Sequence, residues 1–129
     1  MVRDVDDCSL PGTAILWRAV TSDSWIKPDG SASSGAFKFK RLSVYVLGES
    51  TPEKLRAKWP GKPWQCFTAG AARNAGCIIV KVADDSGDES HREICPAGAP
   101  DRQLRDEGLA IAAAAGWVEG DRPPAKPQS

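Results

Sequence analysis

An excess charge of one sign, closely paired cysteines and long apolar runs are all missing from this chain. Seventeen Lys and Arg balance seventeen Asp and Glu; a duplex-DNA-binding domain normally carries a clear basic excess, so the composition argues against nucleic acid as partner. No stretch nears the ~18 consecutive apolar residues of a membrane-spanning helix, and the greasiest run, LAIAAAAGWV, is short and mostly alanine. The opening MVRDVDDCSLPG has no apolar segment of the kind a secretory signal needs. These absences predict a cytoplasmic chain with no membrane association, whose cysteines stay reduced. Cys8, Cys66, Cys77 and Cys95 are far apart, whereas zinc sites bring ligands in close pairs such as CxxC. Only His91 and Cys95 are neighbours, and no metal is expected. GxxxxGK[ST], GxGxxG, GxSxG and HExxH are absent too.

What is present fits one modest core. Five Trp (Trp17, Trp25, Trp59, Trp64 and Trp117) are many for 129 residues, and such rings bury much area while each N–H wants a partner. The pattern predicts a polar N-terminal segment over 1–12, an α+β domain over 13–118 and a disordered Pro-rich tail over 119–129. Alternation makes 13–20 (TAILWRAV) a strand with Ile15, Trp17 and Ala19 on one face and Leu16, Arg18 and Val20 on the other. Turn-rich 21–35 reads as loop, and Ala-Phe-Lys-Phe-Lys at 36–40 as a short edge strand guarded by lysines. LSVYVL at 42–47 is the best strand. Ser50 and Glu53 match a capping box, with proline early in a helix that runs to Trp59. Strands follow at 64–69, 77–82 and 91–95, a helical turn at 70–75 ending at Gly76, a helix over 101–115 and a last strand at 117–118. Strands outnumber helices and connections are irregular, so the sheet should be mainly antiparallel or mixed, with two main helices.

Arg18 stands out because it lies mid-strand beside Leu16 and Val20, where burying an unpaired guanidinium is costly. It must meet either an acid of the protein or an anion bound in a cleft. His91 and Glu93 share a strand face, either as an exposed polar surface or projecting together into a cleft, where histidine suits proton transfer or ligand hydrogen bonding. Ser31, Ser33 and Ser34 occupy a Gly/Ser loop that is either a flexible linker or a cradle of N–H and hydroxyl groups for phosphate or ribose. Charge is also uneven: residues 36–62 hold seven basic residues against Glu49 and Glu53, while acids gather at Asp4, Asp6 and Asp7 and at 84–89. The two regions are either solvated faces of opposite sign or a surface for a phosphate-bearing ligand or an acidic partner.

The order of LWRAV, SSGAF, LSVYVLG and TPEKL resembles the opening of ADP-ribosyltransferase-like domains, nearest to the RES-type toxins that consume NAD, although a GRWN-like segment is absent. It is similar as well to small uncharacterised bacterial proteins. The first resemblance implies that Arg18, Ser34 and Tyr45 hold NAD while Glu93 stabilises an oxocarbenium-like transition state. Two functions follow as expectations. One is a small soluble non-catalytic ligand- or protein-binding domain accessory to a bacterial conflict or regulatory system, taking a protein partner or a small anionic ligand. The other is an NAD-using enzyme with Arg18, Tyr45, Glu93 and His91 in its site and Ser33 and Ser34 on the cofactor.

Overall fold

β-Branched and aromatic residues at period two set the strands, and Gly, Pro and Asp interrupt them. The computed structural model describes residues 4–125. Its strands are β1 (Ile15–Ala19), β2 (Leu42–Val46), β3 (Trp64–Thr68), β4 (Cys77–Lys81), β5 (His91–Pro96) and β6 (Gly116–Trp117). They form one antiparallel sheet in the order β4-β5-β2-β1-β3-β6. Three helices join them: α1 (Pro52–Lys58), α2 (Ala69–Asn74) and α3 (Asp106–Ala114). The α+β class and the antiparallel sheet are as expected. Among the described residues α-helices number three because 69–74, capped by the Thr68 hydroxyl, closes a full short helix before Gly76 takes φ 94°. Among the described residues no helix is long and apolar enough to cross a membrane.

Alternation splits the apolar residues between two faces. One face carries Leu16, Val44, Ile79 and Ile94, covered by Ala72 of α2 and Ile111 of α3. The other carries Trp17, Tyr45 and Trp64, covered by Leu55 of α1 with Trp59 packed alongside. Side chains this large each contribute ~1.5–3 kcal/mol by leaving water. The Trp64 indole N–H is the one buried side-chain donor without a hydrogen-bond partner among the described residues. Its neighbours are the rings of Trp17, Tyr45 and Trp59, with centroids 5.6 to 6.3 Å away. α3 sits close on the first face because Gly108 lacks a side chain: a Cβ there would lie 2.6 Å from the Phe37 carbonyl oxygen.

Four local expectations differ from the structure. Residues 36–40 are not an edge strand. Ser34–Phe37 is a 3-10 turn, Phe37 is sealed in the core against Phe67, and the Phe39 carbonyl accepts from Leu104 N at 3.1 Å. The α1 cap is Thr51, not Ser50; its hydroxyl accepts from Lys54 N at 3.3 Å. The helix of 101–115 begins only at Asp106. Finally, 119–125 lie against the domain rather than forming a free tail. The Asp121 carboxylate accepts from Trp64 N at 2.8 Å and from both terminal nitrogens of Arg56, and Arg122 donates to the Asp29 carbonyl. Residues 126–129 of that tail, like the first three of the N-terminal segment, lie outside the described residues.

The opposed charge clusters meet inside the molecule. Asp4 pairs with Arg41, Asp6 with Arg73 and Asp7 with Arg92, while Asp84 and Asp88 both hold Lys58. Of the basic residues in 36–62, Arg41, Arg56 and Lys58 are engaged in such pairs, so part of the asymmetry noted in the sequence is stitching between segments. Arg41, the only non-glycine with positive φ among the described residues (56°), is held there by Asp4 and Glu93.

Candidate functional site

β1 and β2 part company before either strand ends. Their ladder is limited to Leu16–Val46 and Trp17–Tyr45, although β1 continues to Ala19 and β2 begins at Leu42. Arg18 occupies the gap. Its Nη1 donates to the Ser43 carbonyl at 3.1 Å and its Nε to the Ala36 carbonyl at 3.2 Å. Its guanidinium stacks 5.1 Å from the Phe39 ring and 5.4 Å from the Trp25 ring. Arg18 is only 9% exposed, yet no carboxylate among the described residues pairs with it. Burial pushes its ionisation down to about 10, which leaves it a cation at neutral pH. The internal ion pair expected as one fate of Arg18 is thus not formed: Glu93 bonds to Arg41 at 2.6 Å instead. A cavity of about 110 Å³ opens at the gap, lined by Arg18, Ala19, Thr21, Ser43, Tyr45 and Trp59.

On the same side lies a second, open groove of about 550 Å³. Its floor is a square of side chains from two paired strands, Ser43 opposite Glu93 and Tyr45 opposite His91. Cross-strand neighbours of this kind stand ~5 Å apart at Cβ. One wall is the loop 82–86; the other is Lys58 and Trp59 at the end of α1. The His91 ring is fixed at both nitrogens, Nδ1 lying 2.7 Å from the Val82 carbonyl and Nε2 2.6 Å from Ser43 Oγ. A carbonyl only accepts, so in the neutral ring Nδ1 carries the proton and Nε2 accepts from the Ser43 hydroxyl.

The Tyr45 hydroxyl donates to Asp84 Oδ2 at 2.7 Å, and the Lys58 ammonium reaches the same oxygen at 3.0 Å while lying 5.1 Å over the Tyr45 ring. Burial, then the bond to Asp84 and the nearby carboxylates, push the Tyr45 phenol far above its ordinary value, so it stays a donor. Burial opposes ionisation of Asp84, but hydrogen bonds from Ser86, Tyr45, the Asp88 backbone and Lys58 outweigh it and hold the carboxyl well below the usual range.

Of the residues singled out in the sequence, Arg18, Tyr45, His91 and Glu93 border these two adjoining cavities, which share Ser43, Tyr45 and Trp59. Ser33 and Ser34 border neither. Ser33 caps the turn Ser34–Phe37 with its hydroxyl, a local backbone role. Ser43, Lys58, Trp59 and Asp84 were not anticipated. Ser43 was legible in principle, standing two residues before Tyr45 on the same strand face; Lys58 and Asp84 meet only through the tertiary fold. No group of His, Cys, Asp and Glu able to hold a metal ion occurs among the described residues. Compared with family models, curated proteins and solved structures, the chain matches none.

Proposed function

We propose that this domain binds a small anionic ligand, with Arg18 receiving its negative group in the gap between β1 and β2 and the adjoining groove holding the remainder. The observation that carries the proposal is an arginine nine-tenths buried, without a carboxylate among the described residues, at a gap in the sheet where it borders a cavity of about 110 Å³. Two carbonyl bonds, from Nε and Nη1, and ring stacking hold the guanidinium but do not neutralise its charge, and an uncompensated buried charge is costly. An oxyanion of phosphate or carboxylate size offers the missing compensation. Trp59 borders both cavities and provides a ring edge or face for an attached group.

Transfer of ADP-ribose from NAD would need more than this. It requires a carboxylate free to face the glycosidic bond, and the Glu93 oxygen nearest Arg41 is engaged at 2.6 Å. Ligand binding requires only Arg18. The test is a titration of the whole chain with inorganic phosphate, acetate and NAD, followed by tryptophan fluorescence, since Trp25 stacks on Arg18 and Trp59 borders the cavity. At least one of these anions should give a saturable change that Arg18→Met weakens ~10- to 100-fold, the worth of a charged hydrogen bond, and that Arg18→Lys restores in part. No saturable response to any of them, or equal binding by the Met variant, overturns the proposal.

A further inference from the structure

Beyond anion binding, and independent of it, the pair formed by Ser43 and His91 has the layout of a nucleophile with its base. Three features converge on it. Ser43 Oγ lies 2.6 Å from His91 Nε2, within reach for proton transfer. The opposite ring nitrogen is pinned to the Val82 carbonyl at 2.7 Å, which fixes the tautomer so that Nε2 presents a lone pair to the hydroxyl. Ser43 also borders both the groove and the smaller cavity, while His91, which lines the groove beside it, is only 5% exposed. A base oriented by a third group and bonded to the hydroxyl of a residue lining a groove is the arrangement nucleophilic catalysis requires.

We propose that Ser43 is a nucleophile, with His91 as general base, toward a carboxylic ester seated in the groove. In the first step Ser43 Oγ bonds to the ester carbonyl carbon as its proton passes to His91 Nε2. The carbon–oxygen bond to the leaving alcohol then breaks, and that alkoxide takes the proton back from Nε2. Water, deprotonated by Nε2, attacks the acyl-Ser43 carbonyl, the Oγ–carbon bond breaks, and the returned proton restores the serine while a carboxylic acid departs and loses its own proton to solvent. The Val82 carbonyl is a positioning group that acts through the His91 ring.

A fluorophosphonate probe tests this on the intact chain, because it reacts with activated serines. Oγ displaces fluoride from phosphorus, and the adduct is read by intact mass and peptide mapping. The native chain should gain a single phosphonyl group on Ser43, the urea-unfolded chain none there, and Ser43→Ala none in the native state. His91→Gln should slow labelling at least ~100-fold, the lower end of what a positioned base supplies. Because His91 is buried and its variant can misfold, the native wild type is decisive by itself. No adduct on Ser43, equal labelling of native and unfolded chains, or unchanged labelling of a folded His91→Gln variant overturns the proposal. Loss of phosphate and acetate binding alone would leave the labelling result standing, so the two proposals fail separately.

Discussion

Two arginines lie on the strands that flank β2, and alternation turns both toward the face carrying Leu16, Val44 and Ile94. Arg92 of β5 is 1% exposed and Arg18 of β1 is 9% exposed. Their surroundings are opposite. Arg92 donates to Asp7 at 3.1 Å, to both oxygens of Glu49 at 2.9 Å, and to the carbonyls of Glu89 and His91. Arg18 has carbonyls and aromatic rings and, among the described residues, no acid. The same side chain is therefore a rivet in one place and, in the function proposed above, an anion receptor in the other. A buried arginine in the sequence says only that compensation is needed; the source of the compensation decides its role.

The largest effect should come from removing the compensated arginine. Arg92→Met leaves Asp7 and Glu49 facing a cavity without their cation, and breaking a pair of this kind costs ~3–5 kcal/mol. Urea unfolding checks this, and a loss under 1 kcal/mol would erase the distinction between the two arginines. Asp7→Asn makes Arg92 more like Arg18 while Glu49 still holds it. The expected loss in the same assay is about 1–3 kcal/mol, the penalty of one charged hydrogen bond removed from a buried group.

Acid should attack the rivets and spare the receptor. Bonds from Ser9 and from Arg92 hold the Asp7 carboxyl below its ordinary 3.8, despite the opposing effect of burial. Hydrogen bonds from Ser86, Tyr45 and Lys58 do the same to Asp84 against burial. A carboxyl whose folded pKa is depressed contributes stability that is whole above its unfolded value and lost as pH falls through the folded one. Stability of the wild type should hold down to about pH 4 and then decline. In Arg92→Met that decline should be shallower, because Asp7 has lost a bond that favours its charged form. Parallel declines in a pH series of urea melts would contradict the assignment.

The smallest expected effect supplies Arg18 with the acid it lacks. Thr21 borders its cavity, and Thr21→Asp should raise stability by about 1 kcal/mol while abolishing the fluorescence response to anions. A stabilised variant that still binds them would show that the anion sits elsewhere.

Much of this was legible from residue patterns. Period-two alternation placed Leu16, Arg18 and Val20 on one face of β1, and the burial of Arg18 followed from its apolar neighbours. The same rule misled at Ala-Phe-Lys-Phe-Lys. There Phe37 and Phe39 do alternate with lysines, but one fills the core beside Phe67 and the other stacks on Trp25 and Arg18. Arg41 then takes a left-handed conformation that no strand could continue. Arg92 escaped notice because its partners, Asp7 and Glu49, lie 85 and 43 residues away. The Ser43–His91 contact spans 48 residues and depends on the β2–β5 register, which alternation alone does not set. Local chemistry wrote the strands, and distance in sequence hid the partnerships that give them roles.

The most direct measurement compares wild type and Arg18→Met by urea unfolding at neutral pH, with and without inorganic phosphate. Without phosphate the Met variant should lie within about 1 kcal/mol of wild type or above it, since replacing an uncompensated buried charge by a packed apolar group is often neutral or stabilising. Phosphate at a hundred times its dissociation constant should then stabilise wild type by ~2.7 kcal/mol and leave the variant unmoved. A variant as damaged as Arg92→Met in phosphate-free buffer, or an equal phosphate shift in both chains, would contradict the claim that Arg18 awaits an anion.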